Sequence, residues 1–325
     1  MNPTAEFAAD LSVSLLRHAV RLGRRAAPGS QDTTIAYLLG KLLLKGKKEI
    51  VIARMKNVLG FSFCSDAGWT DLWRAHLRYI GRTLNESNDI ERMHTNEVVG
   101  HIELEGEEIL REATKENRGA MVLINHSGNG ASIIAGLGHR DYNIHLAVKP
   151  FRIPSLERRF SEQQRNFRSG RVPIGRNLFL TAARTLHENG LFAMTIDYFA
   201  SHSRHVCWLQ FGDAMMLVNL APAMFALQRN TPIIFVTTRR RNDGKHALVI
   251  HPNRVPQTGD LAEDATRVTS FGLGLLIDQL RASPSEWWIW DHAKIRANAA
   301  AIGTTHHGHH HPEPFTNAVH SPSAR

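Results

Sequence analysis

The residues best suited to chemistry lie in one short stretch, GAMVLINHSGNGAS, in which an apolar run ends in a glycine-rich turn. His126 follows the apolar run, and Gly128, Asn129 and Gly130 complete the turn before a helical pattern begins. A histidine at the carboxyl end of a strand in an open sheet lies where ligands usually bind, and it can act there as a general base. Neighbouring glycines let backbone N–H groups approach an anion or a developing oxyanion at a helix N-terminus. We therefore predict that His126 is catalytic and that the three turn residues bind substrate; a purely structural histidine is the alternative.

Other motifs that could explain these glycines are missing from the sequence. The run GNGASI lacks the third glycine of a dinucleotide fingerprint, and no Gly-Lys-Ser/Thr follows it to form a phosphate loop. The chain contains no G-x-S-x-G nucleophile elbow. His202 and His205 are close together, but no carboxylate or cysteine completes a zinc set around them. We therefore expect neither a metal nor a redox cofactor.

From about His101 onward, short apolar runs alternate with helical patterns, which is typical of strand–helix units on a mostly parallel sheet. The predicted strands are Ala120 to Ile124, Ile144 to Val148, Leu191 to Ile196, Val206 to Leu209, Pro232 to Thr238 and Ala247 to Ile250. The predicted helices are Leu104 to Lys115, Ala131 to Leu137, Pro154 to Phe167, Leu178 to Glu188, Leu217 to Gln228 and Leu261 to Leu280. We expect Trp287, Trp288 and Trp290 to pack in the core of this domain.

These patterns predict an α/β fold with a mostly parallel central sheet, flanked by helices and preceded by a helical region. We divide the chain into a helical N-terminal region at residues 1–95, an α/β domain at residues 96–297 and a tail at residues 298–325. The tail holds six histidines among Pro, Ser and Thr, so we expect it to be disordered.

The N-terminal region combines apolar and basic residues. Residues 8–25 predict a basic amphipathic helix. A second helical pattern runs through Ile35, Leu38, Leu39, Leu42 and Leu43, with Lys41, Lys45, Lys47 and Lys48 nearby. The helix at residues 8–25 is of a kind that binds anionic membrane surfaces. Peripheral contact with an anionic membrane is therefore one expectation, and packing on the protein's own core is the other.

Charge and cysteine content limit the partners and the compartment. The 325 residues include 39 Lys+Arg against 30 Asp+Glu, a formal net charge of +9 that favours an anionic partner. Cys64 and Cys207 are far apart and suggest no disulfide framework, which fits a reducing cytoplasm. No stretch reaches the roughly 18 apolar residues of a spanning helix, and no secretory leader is evident. We expect a cytoplasmic protein, with any membrane contact on the cytosolic face.

Several blocks of the chain, taken in order, resemble one enzyme family. The blocks are HIELEGEEIL, NRGAMVLINHSGNGAS, KPFRIPSLERRFSEQQRNFRSGRVPIG, TIDYF, FGDAMMLVNLAPAMFALQRNTPIIFV and SPSEWWIWDHAKIR. Over about residues 35–296 they resemble the bacterial lauroyl/myristoyl acyltransferase branch of the lysophospholipid acyltransferase superfamily. The resemblance implies a glycerolipid acyltransferase-like fold and transfer of an acyl group from a thioester carrier. It also implies that His126 activates the acceptor hydroxyl.

One position departs from the family's pattern. The family places a carboxylate five residues after the histidine, where this chain has Ala131. Losing the carboxylate that orients a histidine base can lower the rate by about 10⁴-fold. Asp197, in the block TIDYF where the family also keeps an aspartate, is a first candidate for the missing acid; a turn-capping role is the alternative.

Two further explanations remain open. A stronger nucleophile, such as an amine or a hydroxylamine, needs less help from a base and fits lipid or specialised-metabolite biosynthesis. The donor could be acyl carrier protein, a coenzyme A thioester or an aminoacyl-tRNA, all polyanionic; no DNA is expected. Alternatively, the chain is a non-catalytic protein that binds lipid or a carrier.

Basic residues near the same blocks are candidates for contacts with donor phosphates. They are Lys149, Arg152, Arg165, Arg168 and Arg171. The resemblance implies a functional arginine in this block, and Arg165 and Arg168 match it best. A guanidinium group can bind a phosphate through two parallel hydrogen bonds. A solvated helix face that pairs with Glu157 and Glu162 is the alternative.

Overall fold

The computed structural model describes residues 33–115, 118–150, 154–198 and 205–298. The predicted basic helix at residues 8–25, Arg152, His202 and the histidine-rich tail after Asn298 lie outside these ranges. Within them, no helix combines the length and the apolar character needed to cross a bilayer.

Ten helices lie in the described part of the chain. They are α1 (Thr33–Leu43), α2 (Lys48–Leu59), α3 (Asp66–Ile90), α4 (Thr95–His101), α5 (Glu107–Thr114), α6 (Gly130–Gly138), α7 (Pro154–Asn166), α8 (Leu178–His187), α9 (Ala221–Gln228) and α10 (Leu261–Ala282). The first three form the helical N-terminal region that the sequence predicts.

The strands in the same ranges form two sheets. They are β1 (Ile102–Glu105), β2 (Ala120–Ile124), β3 (Ile144–Val148), β4 (Gly170–Pro173), β5 (Leu191–Thr195), β6 (Val206–Phe211), β7 (Ala214–Asn219), β8 (Ile233–Arg240), β9 (His246–Pro252) and β10 (Ile295–Ala297). The larger sheet has the order β1-β9-β8-β2-β5-β3-β4. Its five strands from β8 to β4 are parallel, whereas β9 and β1 run in the opposite direction. The predicted α/β fold with a mostly parallel sheet is confirmed.

The central strands form where the sequence predicts them. β2 and β3 have the predicted bounds, and those of β5, β8 and β9 differ by at most two residues. All five residues of β2, AMVLI, are buried. A strand covered on both faces needs such a continuous apolar run, which is why the sequence identifies it.

Three predicted elements are wrong in part. The helix predicted from Leu217 begins at Ala221, because residues 214–219 form β7; the continuous apolar run around Leu217 fits either structure. Val206 to Leu209 belongs to the separate antiparallel sheet β10-β7-β6, since a two-residue turn joins β6 directly to β7. The helix predicted from Leu104 begins at Glu107, and Leu104 lies in β1.

Apolar clusters cover both faces of the large sheet. Met121, Leu123 and Phe192 belong to one cluster, while alternate residues of β2 belong to the other. Trp287 and Trp290 are fully buried in the first cluster, and Trp288 packs against it, as expected from the sequence.

Helix α3 connects the N-terminal region to the sheet. At 25 residues it spans about 37 Å. α1 packs closely on it at Gly40, where a Cβ atom would lie 2.0 Å from the carbonyl oxygen of Leu77. The last turns of α3 reach the edge of the sheet at which β2, β5 and β8 end, because Glu86 contacts Arg240 there.

Candidate active site

The segments that follow β2 and β5 form the centre of the site. The two strands are adjacent and parallel, with Ile124 opposite Thr195. The Ile196 N–H donates to the carbonyl oxygen of Ile124 at 2.9 Å, so the pairing continues to the edge of the sheet. The next residues on the two strands are therefore neighbours in space, although 71 positions separate them in the chain.

His126 and Asp197 form a close pair at this edge. His126 Nδ1 lies 2.7 Å from Asp197 Oδ1, and the His126 backbone N–H donates to Asp197 Oδ2 at 2.7 Å. The Trp287 indole N–H also donates to Oδ2, at 2.8 Å. The Asp197 side chain is fully buried, whereas the His126 side chain is 31% exposed. An ionised carboxylate only accepts hydrogen bonds, so Nδ1 carries the proton and Nε2 is left as the acceptor.

Each member of the pair changes the protonation of the other. Burial lowers the pKa of His126, but the charge of Asp197 and the hydrogen bond to it outweigh burial, so the pKa lies above its ordinary value. Burial alone raises the pKa of Asp197, but the charge of His126 and the hydrogen bonds from His126 and Trp287 lower it overall. At neutral pH the carboxylate is charged, and the imidazole is a stronger proton acceptor than an isolated histidine.

The glycine turn uses its residues in different ways. Gly128 has a φ of +65°, and a Cβ atom there would lie 2.7 Å from the carbonyl oxygen of Thr238. Its N–H donates to the carbonyl oxygen of Glu286 at 3.0 Å, so that group is already used within the protein. Gly130 is exposed and begins α6, so its N–H has no acceptor inside the helix. Asn129 is fully buried and caps α6 through its side-chain oxygen.

Ala131 lies in the first turn of α6, and its N–H donates to the Asn129 side chain at 3.1 Å. The carboxylate that contacts His126 therefore comes from the end of β5 and not from α6.

Lys149 and Tyr198 lie at the same edge of the sheet. Lys149 follows β3, and its ammonium donates to the Tyr198 hydroxyl at 3.3 Å. The ring centroids of Tyr198 and His126 are 6.3 Å apart. The structure thus brings Lys149 to the region of His126, with Tyr198 between them.

The arginines of the same sequence block lie elsewhere. Arg165 is in the last turn of α7, and Arg168 precedes β4, so both lie at the opposite, amino-terminal edge of the parallel strands. Arg168 is exposed and forms an ion pair with Asp141 at 3.2 Å. Arg171 forms a buried ion pair with Glu157. The structure does not bring these three arginines to His126.

Sequence reasoning missed the residues that surround the turn. Tyr79 and Glu86 come from α3, Arg240 ends β8, and Glu286 precedes the tryptophan run. No local motif marks them, because each becomes significant only through partners far away in the chain. A single signal was available: Arg240 lies two residues beyond the carboxyl end of a predicted buried strand.

No group of three metal-ligating side chains lies together among the residues that the structure describes, and His205 belongs to none. The comparison with protein families matches residues 16–296 to the family described as bacterial lipid A biosynthesis acyltransferase. No curated protein matches the chain.

Proposed function

Because this chain belongs to the family of bacterial lipid A biosynthesis acyltransferases, we propose that it transfers an acyl group from a thioester or other activated carrier to a hydroxyl or amine acceptor, with His126 as general base. Acyl transfer is the activity of the family. The donor, the acceptor and the residue roles are the proposal.

The observation that carries the proposal is the contact of His126 Nδ1 with the buried Asp197 carboxylate at 2.7 Å. Asp197 supplies the charged carboxylate that Ala131 lacks, and this carboxylate holds the imidazole in one tautomer and stabilises the imidazolium. Among the residues that the structure describes, none bonds Nε2, and the His126 ring is partly exposed, so Nε2 can take a proton from a nucleophile that approaches from solvent. A base oriented in this way supports an ordinary hydroxyl acceptor as well as an amine.

With a thioester donor, the proposed reaction returns His126 to its starting protonation state. Nε2 removes the proton of the acceptor O–H or N–H while the acceptor's electron pair attacks the thioester carbonyl carbon. The tetrahedral intermediate carries its negative charge on the former carbonyl oxygen. When it collapses, the C–S bond breaks and the imidazolium returns the proton to the leaving thiolate. The products are the acylated acceptor and a free thiol.

Two groups near His126 are suited to negative charge. The Gly130 N–H opens α6, where the helix dipole favours an anion. The Lys149 ammonium at the Tyr198 hydroxyl is a second positive group. We propose that this region binds either the developing oxyanion or a phosphate group of the donor. Acyl carrier protein, coenzyme A and aminoacyl-tRNA are all polyanionic, in keeping with a net charge of +9.

Incubation of the purified protein with each donor and panels of hydroxyl and amine acceptors tests the proposal. Thiol release and mass spectrometry of the products should detect acyl transfer with at least one pair, and His126→Gln should abolish it. His145→Gln is the matched control, because His145 is the second residue of β3, near the opposite edge of the sheet, and contacts Asn143. Donor binding without thiol release or any product, including aminoacyl products, would instead indicate a carrier-binding protein.

A membrane surface is the partner that we propose for α1. Leu38 and Leu42 lie one turn apart and are 56% and 65% exposed. Lys41 is exposed on the same helix, and Lys45 is exposed in the turn that follows it. Apolar side chains flanked by lysines suit the interface of an anionic bilayer, where lysine stems extend toward the headgroups.

Vesicle flotation measures this contact. We expect binding to vesicles that contain phosphatidylglycerol, weaker binding to pure phosphatidylcholine, and loss of binding in the double variant Leu38→Asp/Leu42→Asp. Leu180→Asp is the control, since Leu180 is equally exposed on α8. If the double variant floats as the unmodified protein does, α1 is not the membrane contact.

A further inference from the structure

The turn that carries His126 is held by groups outside it. The Tyr79 hydroxyl donates to the carbonyl oxygen of Gly128 at 2.7 Å. The backbone carbonyl of Glu286 accepts from the Gly128 N–H at 3.0 Å and from the Ser127 hydroxyl at 2.9 Å. The turn is therefore bound on one side by α3 and on the other by the segment that precedes the tryptophan run.

Glu86 binds the side chain of Asn129 in the turn. The Asn129 side-chain N–H donates to Glu86 Oε2 at 3.3 Å. Burial raises the pKa of Glu86, but the hydrogen bonds and charge of Arg240 outweigh burial and lower it overall. The carboxylate thus remains charged in the protein interior, next to the turn.

Arg240 links these contacts. Its Nε and Nη2 atoms donate to the Glu86 carboxylate at 2.8 to 3.0 Å. Its Nη1 atom lies 2.8 Å from the Glu286 carboxylate, and its guanidinium carbon lies 5.2 Å from the centre of the Tyr79 ring. The Arg240 side chain is only 7% exposed. One guanidinium therefore contacts Tyr79, Glu86 and Glu286, three of the residues that bind the turn.

We propose that Arg240 is a positioning residue for the acyl transfer proposed above: it holds Glu86 and Glu286 together and so fixes the direction in which the turn presents His126 Nε2. Arg240 does not touch the reacting atoms. It acts through the backbone of residues 127–129, and Asp197 completes the alignment from β5.

General energetics favour this role over a purely stabilising one. A buried ion pair adds little net stability over apolar groups of the same volume, because desolvation offsets the attraction. A planar guanidinium with five donors, in contrast, sets the directions of its partners. A displacement of about 1 Å at a reacting group can lower a rate by about 10²-fold.

The test uses Arg240→Lys in the full chain. An ammonium cannot hold both carboxylates in the same geometry, so the turn should relax away from Asp197. We expect kcat to fall about 10- to 100-fold with little change in the KM for the donor. The midpoint of the His126 titration, followed by NMR and assigned by its loss in His126→Gln, should move to lower pH because the attraction to Asp197 weakens.

Arg159→Lys is the matched control. Arg159 forms a partly buried ion pair with Glu91 that joins α7 to the end of α3, and the bonds of this pair do not involve the turn. This variant should leave the His126 midpoint unchanged. If Arg240→Lys leaves it unchanged as well, and its activity falls only with the folded fraction, the proposal is wrong.

Glu286→Gln keeps the proposal testable if Arg240→Lys does not fold. Glu286 is partly exposed, and the change removes one charge while leaving its backbone carbonyl in place. The midpoint should move in the same direction by a smaller amount, and an unmoved midpoint in a folded Glu286→Gln protein contradicts the proposal. A shifted midpoint without any acyl transfer by the unmodified protein would instead refute the proposed function alone.

Discussion

The two edges of the central sheet hold their charged residues in different ways. At the carboxyl edge, Asp197 is fully buried and Arg240 nearly so, and each makes several hydrogen bonds to fixed partners. At the amino edge, Arg165 and Arg168 are exposed. Fixed, desolvated charges can orient a reacting group, whereas exposed charges are screened by solvent. From this contrast we expect the chemistry to occur at the carboxyl edge, and three predictions test that expectation.

The largest expected effect is that of Asp197→Asn. Removing the carboxylate removes the charge that raises the pKa of His126, and the amide can donate to Nδ1 and so favour the wrong tautomer. We expect the maximal rate to fall by about 10⁴-fold.

The pH–rate profile provides a second readout of the same variant. A base acts in its deprotonated form, so activity should rise with pH through the pKa of His126. Because Asp197 raises that pKa, the rise should move to lower pH in Asp197→Asn. An unshifted rise would show that another group titrates.

A smaller effect is expected from Gly128→Ala, which tests the backbone at the carboxyl edge. Gly128 has a φ of +65°, and an added Cβ would lie 2.7 Å from the Thr238 carbonyl oxygen. We expect unfolding free energy to fall by about 2 to 5 kcal/mol, measured by urea denaturation. Gly130→Ala is the control, since a Cβ there meets no atom within 4 Å. Equal stability of the two variants would contradict this account of the turn.

The smallest effect is expected at the amino edge. The sequence predicts that Arg165 and Arg168 contact donor phosphates, but their position away from His126 favours little involvement. Arg165→Gln and Arg168→Gln should change kcat/KM by less than about twofold, as exposed charges usually contribute little. A tenfold rise in the KM for the donor in either variant would show that the donor extends to this edge, and the sequence-based prediction would then hold.

The sequence identifies elements whose residues carry a strong local pattern. Buried runs such as AMVLI mark β2, and the long amphipathic pattern marks α10, so both are predicted with nearly correct bounds. The four residues of β4, GRVP, have no such pattern, because a glycine and a proline occupy half of them. β7 was predicted in part as helix because a continuous apolar run fits both structures.

The sequence by itself determined that His126 and Asp197 each follow a buried strand, because strand ends can be read from local hydrophobicity. Only the tertiary structure decided that these strands are neighbours, since strand order depends on how distant segments pack. The same holds for Glu86 and Arg240, which are 154 positions apart in the chain and meet only because α3 reaches the end of β8. Local patterns indicate which residues are buried, whereas the orientation of a charged side chain depends on partners that only folding brings together.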